Sequence, residues 1–300
     1  MIDSAYREHW PYVWRLCYRM TGSAADADDL AQETFVRTLR SPPPDPEASW
    51  RPWLVRCAVN LARDRLRRRK REPYTGPWLP APIETGAEAA DPDDPERRYG
   101  MLESVSFAFL VACEALTPRQ RAVLLLRDVL DYSVDETARA LGIGVSNVKT
   151  THHRARAAMR RYDADRKALT LDVQQKTRAA LERFAFALST GDLAAVEAAL
   201  APGVVTTTDA GGDFQAALRH VVGASRVARF YLGLLKKIPP SRVVWRWMNG
   251  LPALLVERDD PPRRAAPRLV LRCEVGGDER ITQVHAILAR SKLTAVSAAG

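Results

Sequence analysis

At 300 residues, 46% hydrophobic and 27% charged, the chain has the composition of a globular protein with two or three domains. No apolar run reaches the ~18–20 residues of a bilayer-spanning helix, and the opening residues, Asp3 and Glu8 among them, do not read as a secretory signal. The net charge of +9 is spread unevenly, with 14 Lys/Arg against 10 Asp/Glu in residues 1–72, 2 against 6 in 73–102, 11 against 8 in 103–167 and 18 against 12 in 168–300. A mild excess in each unit says little, whereas a cluster on one helix points to a polyanion. Cys17, Cys57, Cys113 and Cys273 are scattered with no CxxC pair. They read as buried thiols in a reducing, cytoplasmic setting, with no metal centre and no cofactor expected.

Residues 1–72 carry helical periodicity. Trp10, Val13, Trp14, Cys17 and Tyr18 recur at three- and four-residue spacing, as do Leu30, Thr34, Phe35 and Leu39. Ser23, with Asp26 three residues on, is a start signal for the second helix. After a Pro-rich break over 41–46, a third helix places Trp50, Trp53, Leu54, Cys57, Ala58 and Leu61 on one face. It ends in Arg63–Arg71, where seven of nine residues are basic. Basic side chains suit a helix C-terminus on dipole grounds, but seven exceed that need, and phosphate contact is the stronger reading. Asn60 and Asp64 lie one turn apart on the exposed side, within reach of bases.

Residues 73–102 read as an acidic, Pro-rich linker. They hold Pro73, Pro77, Pro80, Pro82, Pro92 and Pro95, and an Ala-rich acidic tract from Glu84 to Glu96, a composition that cannot fold alone. Helices resume over 103–167. Thr117-Pro118-Arg119-Gln120 has the form of a capping box with Pro at the first helical position, and Ser133 with Glu136 repeats it. From Ser133 to Arg160 the spacing is that of a helix-turn-helix: Ala138 where two helices touch, Gly142 at the turn, Val148 inside the second helix, and Leu141 and Ile143 as core. The second helix presents Ser146, Asn147, Lys149, Thr150, His152 and His153 toward base edges, with Arg154 and Arg156 on phosphates. An ordinary helical hairpin with a solvated basic face is the blander reading.

Residues 168–300 change character. Two helices, near 171–189 and 193–200, precede strands near 242–248, 251–257, 268–275 and 281–288. Asn249-Gly250 and Gly276-Gly277-Asp278 are hairpin turns between them, so the spacing predicts an α+β domain with an antiparallel sheet.

Taken together, the first 166 residues resemble the bacterial sigma-70 family, in particular its extracytoplasmic-function group. Ala25–Arg37 resembles that family's polymerase-clamp helix with its D-L-x-Q-E-T-F core, Trp53–Arg69 its −10 element helix, and Ser133–Arg160 its −35 reader. The resemblance implies that Asp29, Gln32 and Glu33 face core RNA polymerase, with Phe35 in the core. It implies −10 contacts from Trp50, Asn60, Arg63, Asp64, Arg67, Arg68 and Arg69, and base capture by the Arg40–Trp50 loop, although Trp50 and Trp53 also suit a core. The acidic linker would thread toward the polymerase's RNA path, and the partners implied are core polymerase and promoter DNA.

The last 133 residues resemble the SnoaL-like, cone-shaped α+β extension of one subgroup of these factors. The subgroup's WLPEP-type linker motif appears as Trp78-Leu79-Pro80-Ala81-Pro82, its DGGGK-type motif as Asp209-Ala210-Gly211-Gly212-Asp213, and its NPDKL-type motif is echoed by Arg290-Ser291-Lys292-Leu293. Ala81 for Glu and Asp213 for Lys would remove one charge pair between linker and extension. The resemblance implies a modulating role and leaves room for a small-molecule ligand or an anti-sigma protein at this domain. Two other readings compete: a helix-turn-helix regulator acting without polymerase, and an enzyme using the isomerase-like cone. The enzyme would draw on Asp209, His220 and His285, with Trp245 and Trp247 as cavity lining, but no spacing fixes their geometry and fold does not imply function.

Overall fold

The computed structural model describes residues 2–42, 49–85 and 103–298. The chain divides into two compact units, residues 1–73 with 91–167 and residues 74–90 with 168–300. Most of the expected base-capture loop and the acidic tract from residue 86 onward lie outside the described residues.

The first unit is all helical. α1 (Ile2–Thr21), α2 (Ala24–Arg40) and α3 (Trp50–Arg69) pack on one another around Val13, Cys17, Leu30, Phe35, Leu54, Ala58 and Leu61. The apolar spacing noted in the sequence puts those residues on facing stripes, and the Ser23 side chain caps α2 by accepting from the Asp26 amide at 3.2 Å. The second half comprises α4 (Phe107–Cys113), α5 (Pro118–Leu124), a π-helical turn (Leu125–Val129), α6 (Val134–Leu141) and α7 (Val145–Asp165). Both capping boxes form: Gln120 and Glu136 accept from the Thr117 and Ser133 amides at 2.9 and 2.7 Å, while the two hydroxyls accept from the third amide of each helix. Gly142 ends α6 at φ 62°, the left-handed conformation a tight turn into α7 requires.

Two arginines join the halves of this unit. The last carbonyls of α1 have no intrahelical partners. Arg121, 2% exposed, donates to the Met20 carbonyl at 2.9 Å and to Glu114 at 2.6 Å. Arg69 donates to the Thr21 carbonyl at 2.7 Å and to the same carboxylate at 2.8 Å. Burial pushes the Glu114 pKa up, but Arg121 and Arg69 pull it further the other way, and it ends below the ordinary carboxylate value.

The second unit holds α8 (Leu171–Thr190), α9 (Leu193–Ala199), β1 (Leu200–Asp209), β2 (Val221–Val222), α10 (Ala224–Lys237), β3 (Arg242–Met248), β4 (Leu251–Glu257), β5 (Arg268–Val275) and β6 (Ile281–Ile287). The sheet runs β2-β1-β6-β5-β4-β3. It is mixed, not antiparallel throughout as expected, because β1 pairs parallel with β6. Pro202-Gly203 at the start of β1 reads in sequence as a break, which hides that strand. Asn249 and Gly250, at φ 53° and 80°, make the β3–β4 hairpin, the left-handed pair such a turn needs.

The expected free linker is partly built into this unit. Leu79 and Ala81 are 3% and 0% exposed, a burial that the Pro-rich composition concealed. The Leu79 amide donates to Asp209 Oδ2 at 2.6 Å, and Tyr74 Oη donates to Asp209 Oδ1. Lys292 Nζ donates both to Asp209 and to the Leu79 carbonyl, and lies 4.1 Å from the centre of the Trp78 ring. Asp209 and Lys292, both buried, form an ion pair within the extension and hold the linker through the Leu79 backbone, with no linker charge involved. Asp213 instead accepts from the Arg290 amide at 2.8 Å. Gly211 and Gly212 turn the chain beneath Tyr74 and Thr75 at φ 59° and 89°, and a Cβ on Gly211 would meet Ala289 at 3.2 Å. Beyond the tie, Glu84 bridges Met248, and the Asn249 amide donates to the Ile83 carbonyl at 3.0 Å, which covers the end of edge strand β3.

Removing one member of a buried pair strands the other charge. Lys292→Met should therefore cost about 3–5 kcal/mol in urea unfolding of the second unit, with part regained in Asp209→Asn/Lys292→Met. A loss below about 1 kcal/mol would show that water replaces the ammonium there.

Candidate nucleic-acid interface

The side chains predicted to touch DNA fall into two groups once placed. On α3, Asp64, Arg67 and Arg68 are exposed, with Arg67 donating to Asp64 at 3.1 Å. Asn60 accepts from Arg63 at 2.9 Å on the same face; burial lowers the pKa of that guanidinium, as do its neighbours Arg67 and Arg119. Arg69 differs from them. Its guanidinium, 17% exposed, is committed to Glu114 and the end of α1. Arg65 likewise spans Asp26 at 2.8 Å and Glu72 at 3.0 Å. The basic run is thus part brace and part open surface.

Beside it lies a recess of about 450 Å³ lined by Arg37, Arg40, Trp53, Arg56, Cys57 and Asn60, with Ser41 at its edge. Trp53, Arg56, Cys57 and Asn60 share one face of α3 at three- and four-residue spacing, and Arg37 and Arg40 end α2. None of Arg37, Arg40 and Arg56 is among the expected DNA contacts; Arg56 has a signal in its spacing between Trp53 and Asn60, whereas Arg37 and Arg40 come from α2 and have none. Trp50 is half-buried at the first turn of α3. A flat indole, an amide and three guanidiniums around one hollow can stack a base, hydrogen-bond its edge and hold its phosphate.

In the helix-turn-helix, α6 and α7 meet at buried Ala138 and Val148. Ser146, Asn147, Lys149, Thr150, His153 and Arg154 form an exposed face over the first turns of α7. His152, half-buried, and Arg156, exposed, are both engaged with Asp128. His152 Nε2 lies 2.7 Å from Asp128 Oδ1, and Arg156 forks onto both oxygens of that carboxylate at 2.7 and 3.1 Å. Asp128 is buried on the π-helical turn. Burial would raise its pKa, but His152 and Arg156 outweigh that and lower it, so the carboxylate anchors the middle of α7.

On α2, Asp29 and Gln32 are exposed and Glu33 pairs with Arg37 at 2.7 Å. Asp28 accepts from the Trp14 indole at 2.6 Å, and Phe35, 4% exposed, packs edge-on to Tyr6. The acidic ridge is therefore fixed from beneath and open above.

In the second unit, Asp209, His220 and His285 do not assemble an acid–base site. Asp209 is committed to Lys292 and Tyr74, and His220 Nδ1 lies 2.9 Å from the Thr207 hydroxyl. His285 is buried beside Arg272, and desolvation, then the Arg272 and His220 charges, hold its pKa well below the ordinary value. Trp245 packs with the sheet core beneath Arg178, 4.4 Å from its ring centre. Neither Trp245 nor Trp247 lines the unit's cavity.

Three braced helices with an acidic ridge and a basic recess, joined to a capped helix-turn-helix, define a transcription initiation factor of the sigma type. Residues 5–72 match the model of Sigma-70 region 2, and residues 106–159 that of Sigma-70, region 4. The chain is 34% identical over 239 residues to ECF RNA polymerase sigma factor SigJ of Mycobacterium tuberculosis, covering 79% of this chain and 73% of that one. It is 30% identical over 296 residues to the probable ECF RNA polymerase sigma factor SigI of the same organism, covering 97% and 94%. The crystal structure of the M. tuberculosis SigJ superposes with a TM-score of 0.75 at 28% identity over 98% of both chains. The chain belongs to the extracytoplasmic-function sigma factors of RNA polymerase, with an α+β, SnoaL-like C-terminal extension. As such it binds core polymerase and promoter DNA and directs promoter-specific initiation.

The split of the basic run is testable by stability alone. Arg69→Ala should destabilise the protein by about 1–3 kcal/mol, since it strips a buried carbonyl and a carboxylate of their donor. Arg68→Ala should change stability by no more than about 0.5 kcal/mol. Equal losses in denaturant unfolding would refute the division.

Proposed function

We propose that region 2 captures a flipped −10 base in the recess between α2 and α3. Trp53 stacks on the base, Asn60 meets its edge, and Arg37, Arg40 and Arg56 hold the backbone; Trp50, Asp64, Arg63, Arg67 and Arg68 extend this surface. The recess itself carries the reading, because it joins an aromatic plane, an amide and cations in one hollow that reaches Arg40 and Ser41 at the end of α2. Region 4 reads the −35 element through Ser146, Asn147, Lys149, Thr150, His153 and Arg154 in the major groove. His152 and Arg156 act behind them, by fixing α7 through Asp128. Asp29, Gln32 and Glu33 form the polymerase-facing ridge on α2, and Arg69 braces rather than binds.

The chain works in the cytoplasm as a specificity factor and not as an enzyme, a reading supported by the separate commitments of Asp209, His220 and His285. The C-terminal extension modulates initiation by seating linker residues 74–85, so that this stretch is withheld from the polymerase until the tie releases. Trp78, Leu79, Pro80, Asp209, Gly211 and Gly212 are the residues that build the seat.

Adding the full-length protein to core polymerase should yield transcripts from a discrete set of promoters, and Lys292→Met should raise their yield. DNA binding without core binding would instead support a plain helix-turn-helix regulator. An unchanged yield from Lys292→Met would remove the seated linker from control. Replacing Arg67 and Arg68 with Ala should lower the slope of log affinity against log salt by about 2, and an unchanged slope would strike both from the phosphate contacts.

A further inference from the structure

The second unit holds a half-open cavity of about 760 Å³ between α8, α10 and strands β1 and β3 to β6, a size that buries a drug-sized molecule. Its walls are apolar, with Leu188, Phe230, Leu234, Leu254, Leu271 and Leu288 among them. Two helices and five strands contribute, so the space suits a compact body rather than an extended peptide. Left empty, such walls lack contact partners on one side. The polar groups of the lining are informative. Tyr231 Oη already pairs with the Thr206 hydroxyl at 2.7 Å. The charged residues that line the cavity are Lys237, Arg258, Arg263 and Arg264, and no carboxylate joins them among the described residues.

Alternation along β4 explains this one-sidedness. Leu254 and Val256 face the cavity, and Arg258, two residues on, continues that face, while Glu257 falls on the other. The Arg258 head is half-buried and aimed by its bonds to the Ile238 and Ala266 carbonyls at 3.3 and 3.1 Å. Burial lowers its pKa below the ordinary arginine value, so its charge lies where a counter-ion gains most. Arg264 stands at φ 70° without being glycine, on the loop between β4 and β5. A side chain held in that conformation is strained, and strain of this kind gathers at ligand clamps.

The geometry points to a binding site for a small amphipathic organic anion, with an apolar ring or chain body in the cavity and one carboxylate- or sulfonate-like group on Arg258, Arg263 and Arg264. Asp209, His220 and His285 do not line it, so the site holds its ligand without supplying an acid or base. The inference goes beyond the promoter reading and needs neither DNA nor polymerase to test, so either can fail alone.

Full-length protein is titrated with anilinonaphthalene sulfonate and, separately, with phenylnaphthylamine, which has the same apolar body and no anion. The sulfonate should bind one to one and at least about tenfold tighter than the neutral compound. Arg263→Gln/Arg264→Gly removes two charges and relaxes the strained backbone. It should abolish that preference and leave the neutral compound's affinity unchanged. Ala185→Phe and Ala216→Phe, each checked for a native melting transition, should exclude both compounds by filling the cavity. Equal affinity for the two compounds in the native protein would overturn the anionic part of the assignment. Undiminished binding by a folded, filled variant would overturn the site. If both filled variants unfold, the arginine double variant decides, and a retained tenfold preference there overturns the proposal.

Discussion

Asp209 sits at 0% exposure with a Lys292 ammonium, a tyrosine hydroxyl and the amides of Leu79 and Gly211 directed at it. A carboxylate so far from water is tolerable only when fully supplied with donors, and that requirement dictates much around it. It fixes the linker backbone at Leu79, it needs glycine where the chain doubles back under Tyr74, and it places Lys292 between the rings of Trp78 and Tyr74. Without the pair, the Pro-rich segment has little apolar surface of its own to keep it folded. A stretch whose composition forbids independent folding becomes ordered because another part of the chain completes its hydrogen bonds.

A similar economy governs the first unit. The guanidiniums of Arg121 and Arg69 satisfy the carbonyl groups left open at the end of α1, and both close on Glu114. Asp128 gathers two cations of α7 onto the π-helical turn beneath it. In each place a single carboxylate, half-buried at Glu114 and buried at Asp128, collects two basic side chains, and the cations left over define the open surface. Among the described residues of the first unit, the exposed cations gather at the end of α2, on α3 and along α7.

The helical half of the molecule was legible because its signals are local. Capping boxes, a glycine in the left-handed turn and apolar spacing of three and four residues lie within a few positions of one another, and each forms as read. The extension was legible only in part. Strands β3 to β6 alternate and are punctuated by Asn249-Gly250, whereas β1 carries Pro202-Gly203 near its start and takes a parallel partner some 80 residues away. Seating of the linker was invisible for the same reason, since neither Leu79 nor Ala81 carries a mark of what will cover it. At the DNA-facing surface, residue type identified the cations, but it could not separate Arg69 and Arg156, which face carboxylates from other elements, from Arg67 and Arg154. The recess beside Trp53 joins residues of two helices, and only the α3 half of it has a spacing to read.

The tie between Leu79 and Lys292 spans 213 residues of sequence. A ribosome completes the first, then the second, helical half well before it makes the lysine that closes the tie. Regions 2 and 4 can therefore fold as they emerge, while residues 74–85 wait on Lys292. A nascent or prematurely terminated product carries the same DNA-facing helices as the finished protein but has its linker unseated. The order of synthesis thus makes the seated linker a late event, set by a lysine 213 residues downstream.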